Sequence, residues 1–120
     1  MDISRHGIVE GTDGLPCISR AVACGNTVYV CGVTADPGGD IKSQTKQVLD
    51  RIDHYLEMAG TDKSKLLTAQ VWITDMAMFA DMNSVWNAWV DHRNPPVRAC
   101  VRADLWRPNL LVEIMVSATK

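Results

Sequence analysis

The segment from Pro95 to Thr119, PPVRACVRADLWRPNLLVEIMVSAT, decides how the rest of the chain is laid out. From Val97 to Trp106 the residues alternate. Val97, Ala99, Val101, Ala103 and Leu105 fall on one side, and Arg98, Cys100, Arg102, Asp104 and Trp106 on the other, the two-residue period of a strand with chemically different faces. Arg107-Pro108-Asn109 breaks that period, because proline cannot donate to a ladder and asparagine tolerates left-handed backbone. A second strand is predicted from Leu110 to about Ser117, with Leu110, Val112, Ile114 and Val116 as an apolar face. Glu113 stands out, since a carboxylate between Val112 and Ile114 is costly to bury unless something holds it. The two strands are expected to neighbour each other as a hairpin. If Trp106 pairs with Asn109, Arg98 and Glu113 share a face and Glu113 lies opposite Arg102. A slip of one residue puts them on opposite faces.

Working outward, the second helix of the chain should end before Asn94-Pro95-Pro96 and carry Phe79, Met82, Val85, Trp86, Trp89 and Val90 on a broad apolar face. Leu66 to Thr74 reads as a strand, and Asp75 can cap the helix that follows. The period is helical from Ile41, with Val48, Leu49, Ile52, Tyr55, Leu56 and Ala59 inward, Asp40 as N-cap and Gly60 as the closing residue. Ser19 to Cys24 and Thr27 to Val33 form a hairpin about Gly25-Asn26, preceded by a short strand around Arg5 to Val9. The order is β-β-α-β-α-β-β with that short strand in front, one domain over residues 1–120. Two such helices cover one face of a sheet, which gives an α+β layer pair. The other face needs a cover. Four tryptophans and six methionines point to interfaces, so a homo-oligomer packing its open sheet faces together is expected, with a core role for Trp86 as the alternative.

Composition narrows the partners. A net charge of −2 offers no general field for nucleic acid, whose phosphates are bound through many cationic contacts. No apolar run is long enough to span a bilayer, and the N-terminal residues lack a signal-like core, so a soluble cytoplasmic protein is expected. Cys17, Cys24, Cys31 and Cys100 form no metal-ligand spacing and read as free thiols, three of them buried.

Pro96-Val97-Arg98, Cys100, Val112-Glu113-Ile114, Asn83 and the strand-ending Gly32 together resemble the RidA family, also called YjgF/YER057c/UK114, over nearly the whole chain. The resemblance implies a chorismate-mutase-like fold, a mixed sheet of about six strands with two helices on one face. It also implies a homotrimer with clefts between subunits, and cofactor-independent hydrolysis of enamines and imines such as 2-aminoacrylate to a keto acid and ammonia. Three positions depart from the family pattern and are expected to remodel the cleft wall while leaving the arginine in place: Ile18 where well-studied members carry tyrosine, Val33 where glutamine is usual, and Arg107 ahead of a shifted Pro108.

The chemistry needs a carboxylate clamp, a proton carrier and a held water. Arg98 suits the first, because a guanidinium makes two parallel bonds to a carboxylate; the alternative is a surface ion pair. Glu113 suits the other two, against an ion pair with Arg102. By the resemblance, the backbone at Cys31-Gly32 receives the substrate nitrogen. Asn83, Cys100 and Ile18 line the cleft, although Asn83 could equally be a solvated helix residue. Cys100 has no histidine placed to activate it and reads as a lining or oxidation-sensitive thiol. Rival expectations are a deaminase of another aminoenoate (2-aminomuconate-like), an RNA-acting or translation-inhibiting protein using Arg93, Arg98, Arg102 and Arg107 beside Trp89 and Trp106, and a non-catalytic ligand-binding trimer.

Overall fold

A computed structural model of the protein describes residues 1–120. The elements are β1 (Ile3–Val9), β2 (Ile18–Cys24), β3 (Thr27–Val30), β4 (Val33–Thr34), α1 (Ile41–Met58), β5 (Leu66–Ile73), α2 (Phe79–Trp89), β6 (Val97–Arg102) and β7 (Val112–Thr119). They form a seven-stranded mixed sheet in the order β1-β2-β3-β7-β5-β6, with β4 pairing β7 off that path. Both helices lie on one face, and the shortest dimension of the molecule is 19 Å, the thickness of one sheet and one helix layer. This is the expected α+β arrangement.

Local chemistry sets the boundaries. Asp40 accepts a bond from the Ser43 amide at 2.8 Å, so the predicted N-cap of α1 is present. At the other end Gly60 adopts φ +85°, while Gly60 N donates to Glu57 O and Thr61 N to Leu56 O, each at 3.0 Å. That paired pattern is the Schellman stop, which needs the left-handed residue glycine supplies. Val48, Leu49, Ile52 and Leu56 of α1 then pack with Met82 and Trp86 of α2 against Val28, Val30, Val71, Ile73, Val112, Ile114 and Val116 of the sheet. Trp86 is therefore core, the alternative weighed for it. Of the four free cysteines, Cys17 is exposed and the others are half-buried, so none is the fully buried thiol expected for three.

The hairpin prediction is overturned. β6 pairs only β5, in parallel, and β7 pairs β5 on the latter's other edge, so β5 separates the two strands expected to be neighbours. The alternation within each strand was readable, although β6 stops at Arg102 and β7 starts at Val112. Adjacency was not readable, because the residues between Arg102 and Val112 are far more than a two-residue turn and carry the chain past the end of β5. Ala103 N still bonds Ile73 O at 3.1 Å there, and Asn109 takes φ +68°. The consequence is large. Arg98 pairs with Ala69, which pairs with Val116, so all three point to the helix side, whereas Glu113 pairs with Trp72 on the open side. Arg98 and Glu113 occupy opposite faces of one sheet, and Arg102 is not opposite Glu113.

Candidate functional site

The eight-residue span of β7 alternates between core and open face, so its fold leaves Glu113, Met115 and Ser117 where the helices do not cover them. Two residues of β4 are what hold this position: Val33 pairs with Ile114 and Thr34 with Glu113. Upstream, Tyr29 pairs with Ser117. Three residues lie between Tyr29 and Val33 but only two between Ile114 and Ser117, so Cys31-Gly32 forms a bulge with one extra residue. The bulge faces the carboxylate. A Cβ on residue 32 would collide with Glu113 Oε2, so glycine at this strand end is what allows Glu113 its approach.

Helix α1 grips this region from behind. Arg51 donates to Thr34 O at 2.6 Å and pairs with Asp36 at 2.8 Å. Gln44, buried at 2% exposure, donates to Asn109 O and accepts from Leu111 N, both at 2.8 Å. Neither residue was singled out from the sequence. The readable signal for Gln44 was a glutamine within the apolar stripe of α1, between Ile41 and Val48.

Glu113, Gly32, Cys31 and Ile18 all line one cavity of about 800 Å³ on the open face. Tyr29, Thr34, Met115 and Trp106 complete much of its wall and were not foreseen. Glu113 has no ion pair and no hydrogen bond to its carboxylate, and burial pushes its carboxyl above the usual carboxylate range. Val33, expected to remodel the cleft, is 2% exposed and packs in the core instead, because it falls on the helix side of β4.

A second cluster lies on the other face, at the β6 edge. Arg98 Nη2 donates to Asn83 Oδ1 at 2.7 Å, and its guanidinium carbon lies 5.1 Å from the Trp86 ring centroid and 5.9 Å from that of Phe79. Asn83 is therefore a partner of the arginine and not a solvated helix residue. The stacking and the single amide fix the orientation of the guanidinium without neutralising it. Arg98 has no carboxylate partner, since the two ion pairs of the chain are Lys46–Asp50 and Arg51–Asp36. Cys100 shares its strand and face. Burial pushes the Cys100 thiol up, more than the nearby Arg98 pulls it down, which keeps it protonated and disfavours a nucleophilic role. The predicted residues thus form two groups, Arg98, Asn83 and Cys100 in one and Glu113, Gly32, Cys31 and Ile18 in the other, and one chain does not bring them together.

No helix is long and apolar enough to cross a membrane. Residues 17–120 match the family model described as Endoribonuclease L-PSP. A RutC family protein of Haemophilus ducreyi is 41% identical over 98 residues, covering 82% of this chain and 84% of that protein. The RutC family protein YoaB of Escherichia coli is 40% identical over 100 residues, covering 83% and 88%. A crystal structure of a YjgF family member from Neisseria meningitidis superposes with a TM-score of 0.91 at 38% identity, covering all of this chain and 96% of that one. With the two helices on a seven-stranded mixed sheet and the Arg98 and Glu113 clusters in place, these matches show that the chain belongs to the YjgF/YER057c/UK114 family, the Endoribonuclease L-PSP family of the matching model.

Proposed function

We propose that the protein is a cofactor-independent hydrolase of small 2-imino acids and their enamine tautomers, acting at clefts formed between copies of itself, as a homotrimer. The observation that carries this reading is the pair of uncompensated opposite charges, Arg98 and Glu113, held on opposite faces of one sheet. A cleft in which the β6 edge of one copy closes over the open-face cavity of the next puts a carboxylate clamp beside a proton carrier. The bare sheet face supports such assembly. Tyr29 is 51% and Met115 43% exposed there, and Val97 on the β6 edge is 71% exposed.

In that cleft Arg98 takes the substrate carboxylate in a two-bond grip, its plane set by Asn83 and Trp86. The Glu113 carboxyl protonates the imine nitrogen, and as carboxylate it then removes a proton from the attacking water. Water oxygen bonds to the imine carbon. The resulting carbinolamine loses its C–N bond as Glu113 moves the hydroxyl proton to nitrogen, releasing ammonia and the 2-keto acid. Imine plus water balances keto acid plus ammonia, with no oxidant or reductant. The bulge at Cys31-Gly32 gives the nitrogen a close approach to backbone.

Support for RNA as the target is thinner. The net charge is −2, Trp89 is engaged by Asp53 and Lys63, and the Trp106 ring is already stacked by Arg107. The test is ammonia release from 2-aminoacrylate generated in situ. Arg98→Ala should abolish it while far-ultraviolet circular dichroism and oligomer size stay those of the parent. Undiminished turnover in that variant sinks the proposal.

A further inference from the structure

The lining of the Glu113 cavity says what the rest of the substrate is made of. Leu15, Pro16, Ile18, Val22, Met115 and Trp106 supply apolar wall, and the charged members of the lining are Glu113 and Arg20. Arg20 is already engaged, its guanidinium carbon 5.8 Å from the Tyr55 ring centroid of α1 and Nη1 4.0 Å from Cys31 Sγ. Trp106 is 61% exposed on the segment between β6 and β7, and Arg107 stacks over its ring at 5.3 Å. An indole left this open beside a carboxylate-floored cavity is an unused apolar wall. The cavity measures about 800 Å³, against about 30 Å³ of liquid volume per water molecule. A three-carbon imino acid, only a few waters in volume, fills a small part of it.

We propose that the substrate is a 2-imino acid with a bulky apolar side chain, seated against Ile18 and Trp106, and that these two residues determine specificity. This rests on the deaminase reading above and narrows it. The side chain is uncharged, because a second carboxylate in this cavity would meet the Glu113 carboxylate with the Arg20 cation already placed elsewhere. Each methylene that gains or loses a fitted apolar wall changes kcat/KM by roughly 10- to 200-fold.

The experiment supplies imines by amino-acid oxidases acting on alanine, leucine, phenylalanine and aspartate, and follows their disappearance against the uncatalysed rate. The leucine- or phenylalanine-derived imine should exceed the alanine-derived one by at least about tenfold in kcat/KM. Ile18→Tyr, which narrows the cavity, should reduce that ratio by about tenfold or more, and Trp106→Ala should reduce it as well. Trp106 is too exposed for its loss to threaten the fold, so one variant reports even if the other misfolds. Preference for the alanine-derived imine overturns this inference and leaves the deaminase reading standing. Preference for the aspartate-derived imine overturns it in favour of Arg20 as a second anion site. No acceleration of any imine overturns both.

Discussion

The Arg98 cluster and the Glu113 cluster are built on opposite principles. Arg98 is held by direct contacts: an amide oxygen at 2.7 Å and two aromatic rings fix the guanidinium plane before any ligand arrives. Glu113 is held by an absence: no donor reaches its carboxylate, and its place is set by the missing Cβ of Gly32 and by α1 pulling on Thr34 O and Leu111 N behind it. A cation tolerates part-burial when aromatic faces and one acceptor orient it, and keeps its charge throughout. A carboxyl instead responds to desolvation by a rise in pKa, which is what a proton carrier needs and a clamp does not. The contrast teaches that a single chain prepares two halves of a reaction and completes neither.

The sharpest way to break this comparison is to separate the halves genetically. Arg98→Ala and Glu113→Gln proteins should each lose turnover, Glu113→Gln by about 10²–10⁴. Subunit exchange between the two inactive proteins should create clefts with both wild-type halves and restore a substantial fraction of parent activity. Mixed oligomers that form, as shown by mass spectrometry of differently tagged subunits, yet stay inactive would end the two-copy reading. A smaller effect follows from the bulge. Gly32→Ala forces the Glu113 carboxylate to move, because the new methyl collides with Oε2, while Arg98 on the other face is untouched. Turnover should drop about 10- to 100-fold through kcat, a part of the general acid–base contribution, with KM for the carboxylate substrate nearly constant. A change confined to KM would mean that Gly32 serves binding and not the carboxylate.

The strands of both halves were legible from alternation, and the caps of α1 from Asp40 and Gly60, because these signals are local. The partition of the site was not. Alternation tells which residues share a face only within a strand; across strands it needs to know which one intervenes, and the parallel partner of β6 is some thirty residues earlier in the chain. The same blindness put Val33 on the cleft wall: its side depends on the one-residue bulge at Cys31-Gly32, which a sequence period does not reveal. Gly32 was readable as a strand end, but its true constraint is the carboxylate opposite. Asn83 illustrates the reverse case, a residue ambiguous in sequence whose meaning becomes plain once Arg98 lies within 2.7 Å.

The smallest expected effect concerns stability, and it tests the uncompensated state of Glu113 directly. Burial raises the carboxyl pKa in the folded chain above its unfolded value, so between those two values the folded state binds more protons than the unfolded one and stability falls as pH rises. The penalty is complete above the raised folded value and disappears below the ordinary glutamate range near about 4.3. Glutamine carries no such charge. For protein diluted to single chains, Glu113→Gln should therefore melt no lower than the parent at neutral pH, and slightly higher, with the advantage shrinking as pH falls through the raised value towards the ordinary one. In assembled protein a guanidinium delivered by the neighbouring copy stabilises the carboxylate instead, and the sign reverses: the parent should melt above Glu113→Gln at neutral pH and lose that lead on acidification. Melting curves across pH at two protein concentrations read both signs. A neutral-pH advantage for Glu113→Gln at both concentrations, in variants whose assembly is verified by sedimentation, would show that no cation reaches Glu113 on assembly and would leave Arg98 without its counterpart.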